Sequence, residues 1–136
     1  MSPTTILRVA AVISLFFAAG HTLGGRKDWS PMGDNDVLKA MRTTRFDTQG
    51  VNRSYLDFYR GFGYSLTVFL LLQTAALWQL ATMARTDASG VRPLIAFFAL
   101  ASLSSGVVSW IYLFPVPAVF SAVLTACLAA AFVTAG

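Results

Sequence analysis

The stretch 61-GFGYSLTVFLLLQTAALWQLATMA-84 carries no charged side chain from end to end. A bilayer core of ~30 Å takes about 20 apolar residues in helical form, so this stretch alone is long enough to span one. Working outward, residues 9–25, 94–114 and 116–136 are also free of Asp, Glu, Lys and Arg. In lipid every backbone N–H and C=O must be paired internally, which leaves helices or a closed barrel. Strict apolar/polar alternation is absent, and that argues against a barrel. The sequence therefore predicts an all-α integral membrane four-helix bundle. It forms a single transmembrane domain, 1–136, with spans at about 5–25, 55–84, 93–114 and 116–136 and a long loop over 26–53.

Composition agrees with that assignment. The chain is 56% hydrophobic and 12% charged, against about a quarter charged in a soluble domain. Glu is absent, so all six acids are Asp. The net charge of +4 reads as basic flanks facing anionic headgroups and not as a nucleic-acid surface. Cys127 is the only cysteine, which excludes an intrachain disulfide, a Cys-x-x-Cys pair and thiol-pair membrane oxidoreductases. It sits in an Ala-rich run and reads as a small packing hydrophobe. One His and scattered Met residues predict no metal site and no cofactor, and phosphate-loop and dinucleotide motifs are missing. The first span has the outline of a signal peptide, with Ala18-Ala19-Gly20 as a cleavage-like site, and is expected to be retained as a helix.

The connections differ. Residues 85–93 form a short loop ending in Pro93, which suits a first helical turn, and Pro115 and Pro117 make the last hairpin tight. The long first loop is expected to carry structure of its own. Asp34 is placed to cap a short helix from Asn35 to about Thr44. On it Val37, Leu38 and Met41 share one face and Lys39, Arg42 and Arg45 mostly the other. That pattern fits an interfacial helix with Trp29 as headgroup anchor, or a soluble lid. Arg26, Lys27, Lys39, Arg42, Arg45 and Arg53 on this loop outnumber Arg8, Arg85 and Arg92 on the opposite side, so the positive-inside rule puts both termini outside.

Small residues recur four apart: Ala10, Ser14, Ala18 and Thr22 on the first span, Ala101, Ser105 and Ser109 on the third, and Ala118, Ala122, Ala126, Ala130 and Thr134 on the fourth. Gly20 and Gly24 form a GxxxG. Such seams let helices approach closely where lipid supplies no hydrophobic drive. They serve packing within the chain, or one of them, that of the fourth span before the others, serves a homo-oligomer.

On the second span Asp57, Arg60, Tyr64, Thr67, Leu71, Thr74 and Trp78 follow steps of three and four and share a face. This polar stripe is expected to point into the bundle. Ser102, Ser105, Ser109 and Tyr112 repeat the pattern on the third span, and Ser14 and His21 share a face on the first. Because spans alternate in direction, His21, Asp57, Arg60, Tyr64, Ser109 and Tyr112 are expected at similar depth under the long loop. His21 suits proton transfer, with Asp57 orienting it or acting as base. Arg60 suits an anionic headgroup or an oxyanion. Tyr55, Tyr59 and Tyr64 supply hydrogen bonds. Set against this, Ser54-Tyr55-Leu56-Asp57 has the form of a capping box, in which Asp57 serves only the helix start. The third-span serines also suit interhelical hydrogen bonding.

The strings His21-Thr22-Leu23-Gly24-Gly25 and Arg53-Ser54-Tyr55-Leu56-Asp57-Phe58-Tyr59-Arg60-Gly61-Phe62-Gly63 resemble those of small four-span bacterial membrane proteins. The resemblance runs from the first span to the fourth and implies a fold and a membrane, but no activity. In layout the chain is similar to the four-helix sterol isomerase and sigma-2 receptor group, which binds sterol-like ligands within the bundle. That group uses intramembrane Glu, which this chain lacks. Glutathione-dependent four-helix membrane enzymes resemble it less, because their Arg/Glu-rich motif is missing.

Two readings follow from the sequence. One is a cell (inner) membrane protein with an intramembrane pocket for a lipid-like or hydrophobic small molecule. Its catalytic pair would be His21 and Asp57, its binding residues Arg60, Tyr64, Tyr55, Tyr59, Ser109 and Tyr112, and its chemistry an acid-base step such as isomerisation. The other is a non-catalytic structural or accessory subunit of a larger membrane complex. Membrane lipids are partners in both, and nucleic acid in neither.

Overall fold

The computed structural model describes residues 1–25, 30 and 32–136. In chain order these form α1 (Pro3–Gly25), α2 (Asp36–Thr43), β1 (Arg45–Thr48), β2 (Val51–Ser54), α3 (Tyr55–Met83), α4 (Arg92–Tyr112) and α5 (Pro115–Thr134). The protein is mostly helical, and α1, α3, α4 and α5 are each long and apolar enough to cross a membrane. Trp29, expected as a headgroup anchor, lies outside the described residues, as do Arg26 and Lys27.

The helix starts are written locally. The Ser2 hydroxyl accepts the Thr5 N–H, and Pro3 opens α1 with the fixed φ of a first turn. Asn35, not Asp34, caps α2: its side chain accepts the Leu38 N–H at 3.0 Å. Asp34 instead pairs with Arg42, eight residues further on, at 3.0 Å. Pro93 lies in the first turn of α4 and Pro115 in that of α5.

The chain divides into two compact units. The first, 1–17 with 70–136, is a four-helix bundle built from parts of α1 and α3 and from the whole of α4 and α5. Each helix supplies one large side chain that is completely buried: Leu7, Leu77, Ile95 and Leu128. Ala10, Ala11, Ala81 and Ala131 fill the spaces between them. α4 and α5 approach closely, since a Cβ on Gly106 would lie 3.3 Å from the Ser121 Cβ. Phe17 stacks on Phe120 with ring centroids 5.1 Å apart. Cys127 is a half-buried side chain against this core, as a small hydrophobe should be.

One polar cluster lies among these apolar contacts. The amide of Gln73 donates to the Ser14 hydroxyl at 3.1 Å, and that hydroxyl donates to the Leu70 carbonyl at 3.3 Å. Thr74 donates to the same carbonyl at 2.9 Å. Ser14 is fully buried, so the cluster works in a low dielectric.

The second unit, 18–69, holds the end of α1, then α2, the β hairpin and the first half of α3. The hairpin interrupts a segment expected to be loop plus helix. Its strands pair Arg45↔Ser54 through Thr48↔Val51, so the turn has only two residues, Gln49 and Gly50. Both have positive φ, 48° and 83°, which is the geometry whose twist matches paired strands. A lone hairpin is marginal in water. Phe46 anchors this one, with its ring 5.0 Å from Tyr55 and 5.2 Å from Phe58 in the first turn of α3.

The stripe expected to face inward on α3 does not. Leu56, Leu70, Leu77, Ala81 and Ala84 are buried and Gly63, Thr67 and Thr74 half-buried, whereas Asp57, Arg60, Tyr64, Leu71 and Trp78 are exposed. The buried face is offset by about one residue, roughly 100° around the helix. It follows a seven-residue spacing through Leu56, Gly63, Leu70, Leu77 and Ala84. The fourth-span seam also faces outward: Ala122, Ala126, Ala130 and Thr134 are exposed, while Ser121, Leu124, Leu128 and Ala131 form the packed face. Among the described residues an added Cβ at Gly20 or Gly24 would meet nothing within 4 Å, so none of them packs closely on this GxxxG.

Two outcomes are expected. Ser14→Ala leaves the Gln73 amide without its acceptor and lowers unfolding free energy by on the order of 1 kcal/mol, the usual scale for such contacts in membranes. A double-mutant cycle with Gln73→Leu, read by unfolding in detergent, should give coupling of that size, whereas the same cycle with Thr82→Ala should give none. Gly50→Val places a β-branched residue at positive φ and costs about 1–2 kcal/mol. Faster amide exchange confined to 45–54 is the expected signature.

Candidate functional site

The second unit carries most of the residues singled out from the sequence. Ser54 and Asp57 form a reciprocal capping box at the start of α3. The Ser54 N–H donates to Asp57 Oδ2 at 2.8 Å, and the Asp57 N–H donates to Ser54 Oγ at 3.1 Å. Asp57 is thereby held rigidly, with one carboxylate oxygen already engaged by the helix it caps.

His21, near the end of α1, meets α3 at a different place. Its Nε2 is 2.9 Å from the Gly63 carbonyl. A carbonyl only accepts, so Nε2 carries the proton and Nδ1 is the ring's other nitrogen. One turn on, the hydroxyls of Thr22 and Thr67 lie 3.2 Å apart, and Thr22 donates to the Ala18 carbonyl at 2.7 Å. Gly63 is six residues from Asp57, about 9 Å along the helix axis. Among the described residues no hydrogen bond joins His21 to Asp57, and the two serve different contacts on α3. Tyr55, Tyr59 and Tyr64 are about half exposed, and Tyr55 alone among them packs in the aromatic cluster around Phe46. Ser109 and Tyr112 belong to the first unit, where Ser109 is buried and Tyr112 is 76% exposed. Of the third-span serines Ser102 is also buried and Ser105 exposed, so the packed spacing there is seven residues.

Two concavities border Asp57. The larger is an open groove of about 770 Å³ between the hairpin and the exposed face of α3. Val51, Phe58 and Phe62 give it apolar walls, and Arg53, Asp57 and Ser65 supply polar groups. The smaller, about 200 Å³, is lined by Arg42, Arg45, Ser54, Leu56, Asp57 and Arg60. Phe58 and Phe62, which the sequence places on the far side of α3 from the polar stripe, are thus part of the site. Their rings lie 6.4 Å apart, edge to face. The hairpin is what reveals them: without a fold for 45–54, Phe46 and Val51 have no known partners.

The hairpin holds its own polar groups in place. Arg45 reaches across it to Asn52, bonding the side-chain oxygen through Nε and the carbonyl at 3.2 Å. Asn52 in turn donates to Asp47 at 2.8 Å. Among the described residues no three His, Cys, Asp or Glu side chains gather in a way that would hold a metal ion. Taken together, the four long apolar helices and the packed four-helix unit define a helical membrane protein. The chain matches no protein-family model, no curated protein and no solved structure.

Asp57→Ala should fray the first turn of α3 at a cost of about 1 kcal/mol. It should also loosen the hairpin anchored there, seen as faster amide exchange over 54–58. His21→Ala should leave that exchange unchanged, because its contact is with Gly63.

Proposed function

We propose that the protein binds an amphipathic, lipid-like molecule in the groove between its β hairpin and the exposed face of α3. The observation that carries this reading is the groove itself. Its volume of about 770 Å³ lies within the ~300–1,000 Å³ of small-molecule sites. Its lining puts two phenylalanine rings and a valine beside Arg53, Asp57 and Ser65. A ligand with an apolar body and a polar end satisfies both parts.

Binding is favoured over acid-base chemistry. His21 uses Nε2 on a backbone carbonyl and Asp57 caps a helix, so the two lack the shared geometry of a proton relay. Of the expected binding residues, Arg60 keeps a place beside the groove, in the adjoining recess. Tyr64, Ser109 and Tyr112 are not needed. The membrane we assign is the cell (inner) membrane, since chains that cross the bacterial outer membrane do so as barrels and this one is helical.

Native mass spectrometry of protein in mild detergent tests the reading. A defined amphipathic molecule should co-purify with the wild type, and Phe62→Ser should lower its retention about tenfold, the scale of one aromatic contact. Bulk lipid alone, equally abundant in both, would contradict it.

A second reading has one observation in its favour. The exposed Ala122, Ala126 and Ala130 on α5 are suited to close contact with another helix, as in a homo-oligomer or an accessory subunit. Under it, Ala126→Leu should abolish cross-linked species in native membranes while leaving Phe62-dependent ligand retention intact.

A further inference from the structure

We propose that Arg8 and Trp78 bind the phosphate group of a glycerophospholipid at the end of the first unit where α1 begins and α3 ends. The site shares no lining residue with the groove and does not rest on the groove reading. Within this unit α1 and α3 run antiparallel. Ser14 meets Gln73 at 3.1 Å, and nearer the start of α1 the Arg8 guanidinium lies over the Trp78 ring, 5.5 Å from its centroid. Both residues are exposed. Arg92, at the start of α4, has a similar partner in Phe132 at 4.3 Å, but it is half-buried and its Nε is fully so. Of these two arginines, Arg8 is the one open to a lipid.

Depth is the first argument. Arg8 is the sixth residue of α1 and Trp78 the sixth from the end of α3. Both therefore lie about 7.5 Å inside their helix ends. A charge that far into a membrane-length helix is costly unless its head reaches the interface. Helical side chains tilt toward the N-terminus, and for Arg8 that is the nearer end of α1. Its stem thus carries the guanidinium toward the headgroups, the level at which an indole ring also settles.

Donor chemistry is the second. A guanidinium over a ring spends its face on the contact and keeps the N–H groups at its edge for an acceptor. Among the described residues no hydrogen bond or ion pair engages Arg8, and none engages the Trp78 indole N–H. A forked cation beside a neutral N–H suits an oxyanion with several acceptor oxygens. The surroundings then select lipid over soluble phosphate. Val12 and Leu15, further along the same face of α1, are exposed and apolar, as is Leu71, two turns before Trp78 on α3. Soluble phosphate gains nothing from that surface, whereas acyl chains cover it. The hold is on the phosphate, and the chains stay mixed with the surrounding bilayer.

The test is solid-state NMR on the full chain in phosphatidylglycerol vesicles, reading how lipid phosphorus dephases the arginine Cζ signal. Arg8 is the one arginine followed by valine, so carbon-labelled Arg with nitrogen-labelled Val selects it in the wild type without any substitution. An N–H···O contact of charged partners puts Cζ about 4 Å from phosphorus, and dephasing of that strength is expected. Its absence overturns the proposal. Trp78→Phe, which keeps a ring, should preserve the dephasing, and Trp78→Leu should lower it about twofold. Undiminished dephasing in Trp78→Leu, with helical content as in the wild type, overturns the pair as the site. In galactolipid vesicles, which carry no phosphorus, inorganic phosphate at the same phosphorus concentration should leave Arg8 without dephasing. Dephasing there would make Arg8 a site for soluble anions and overturn the lipid source.

Discussion

A serine hydroxyl buried between two helices fixes the position of α1 against α3. Lipid is as apolar as leucine, so greasy surface alone does not tell one membrane helix where to rest against another. Ser14 supplies that information by donating to the Leu70 carbonyl while accepting from Gln73. The spacing recurs in sequence: His21 follows Ser14 by seven residues, and the carbonyl it meets, Gly63, precedes Leu70 by seven. Seven residues are two helical turns, the interval at which one face of a helix returns. The buried leucines 56, 70 and 77 of α3 sit on that same interval.

Within the second unit, His21 meets the Gly63 carbonyl and Thr22 meets Thr67, and with that face of α3 covered Phe58, Phe62, Asp57 and Arg60 are left exposed. On a helix of membrane-crossing length, an exposed face of this composition is suited to acyl chains and, at its end, to headgroups. The hairpin then borders the start of this face and makes a groove of it. Residues that look like the inside of an active site when read along the sequence lie, in the fold, on an exposed face of the helix.

Much of the architecture was legible in the sequence, because a membrane span is defined by the absence of charge over a fixed length. The four spans and the capping box at Ser54 and Asp57 follow from that rule and from local chemistry. The face of α3 was not legible. Thr67 and Thr74 belong to both the polar stripe and the buried repeat, and polarity alone could not separate the two. The hairpin was hidden for a different reason. Two-residue turns of this kind favour Asn-Gly, and here Gln49 precedes Gly50, so the strongest signal is missing. A glycine flanked by the β-branched Thr48 and Val51 was the trace that remained. Asp34 and Asn35 are both good caps, and only geometry shows that Asn35 takes the position.

The central claim is that the ligand lies on the outward face of α3 beside the hairpin. Photo-cross-linking with a phospholipid bearing a diazirine in its acyl chain, followed by peptide mapping, tests it most directly. Cross-links concentrated on Phe58, Phe62 and Val51 are predicted. Cross-links on Thr67 and Thr74, or spread evenly over exposed residues of other helices such as Phe97 and Trp110, would contradict it.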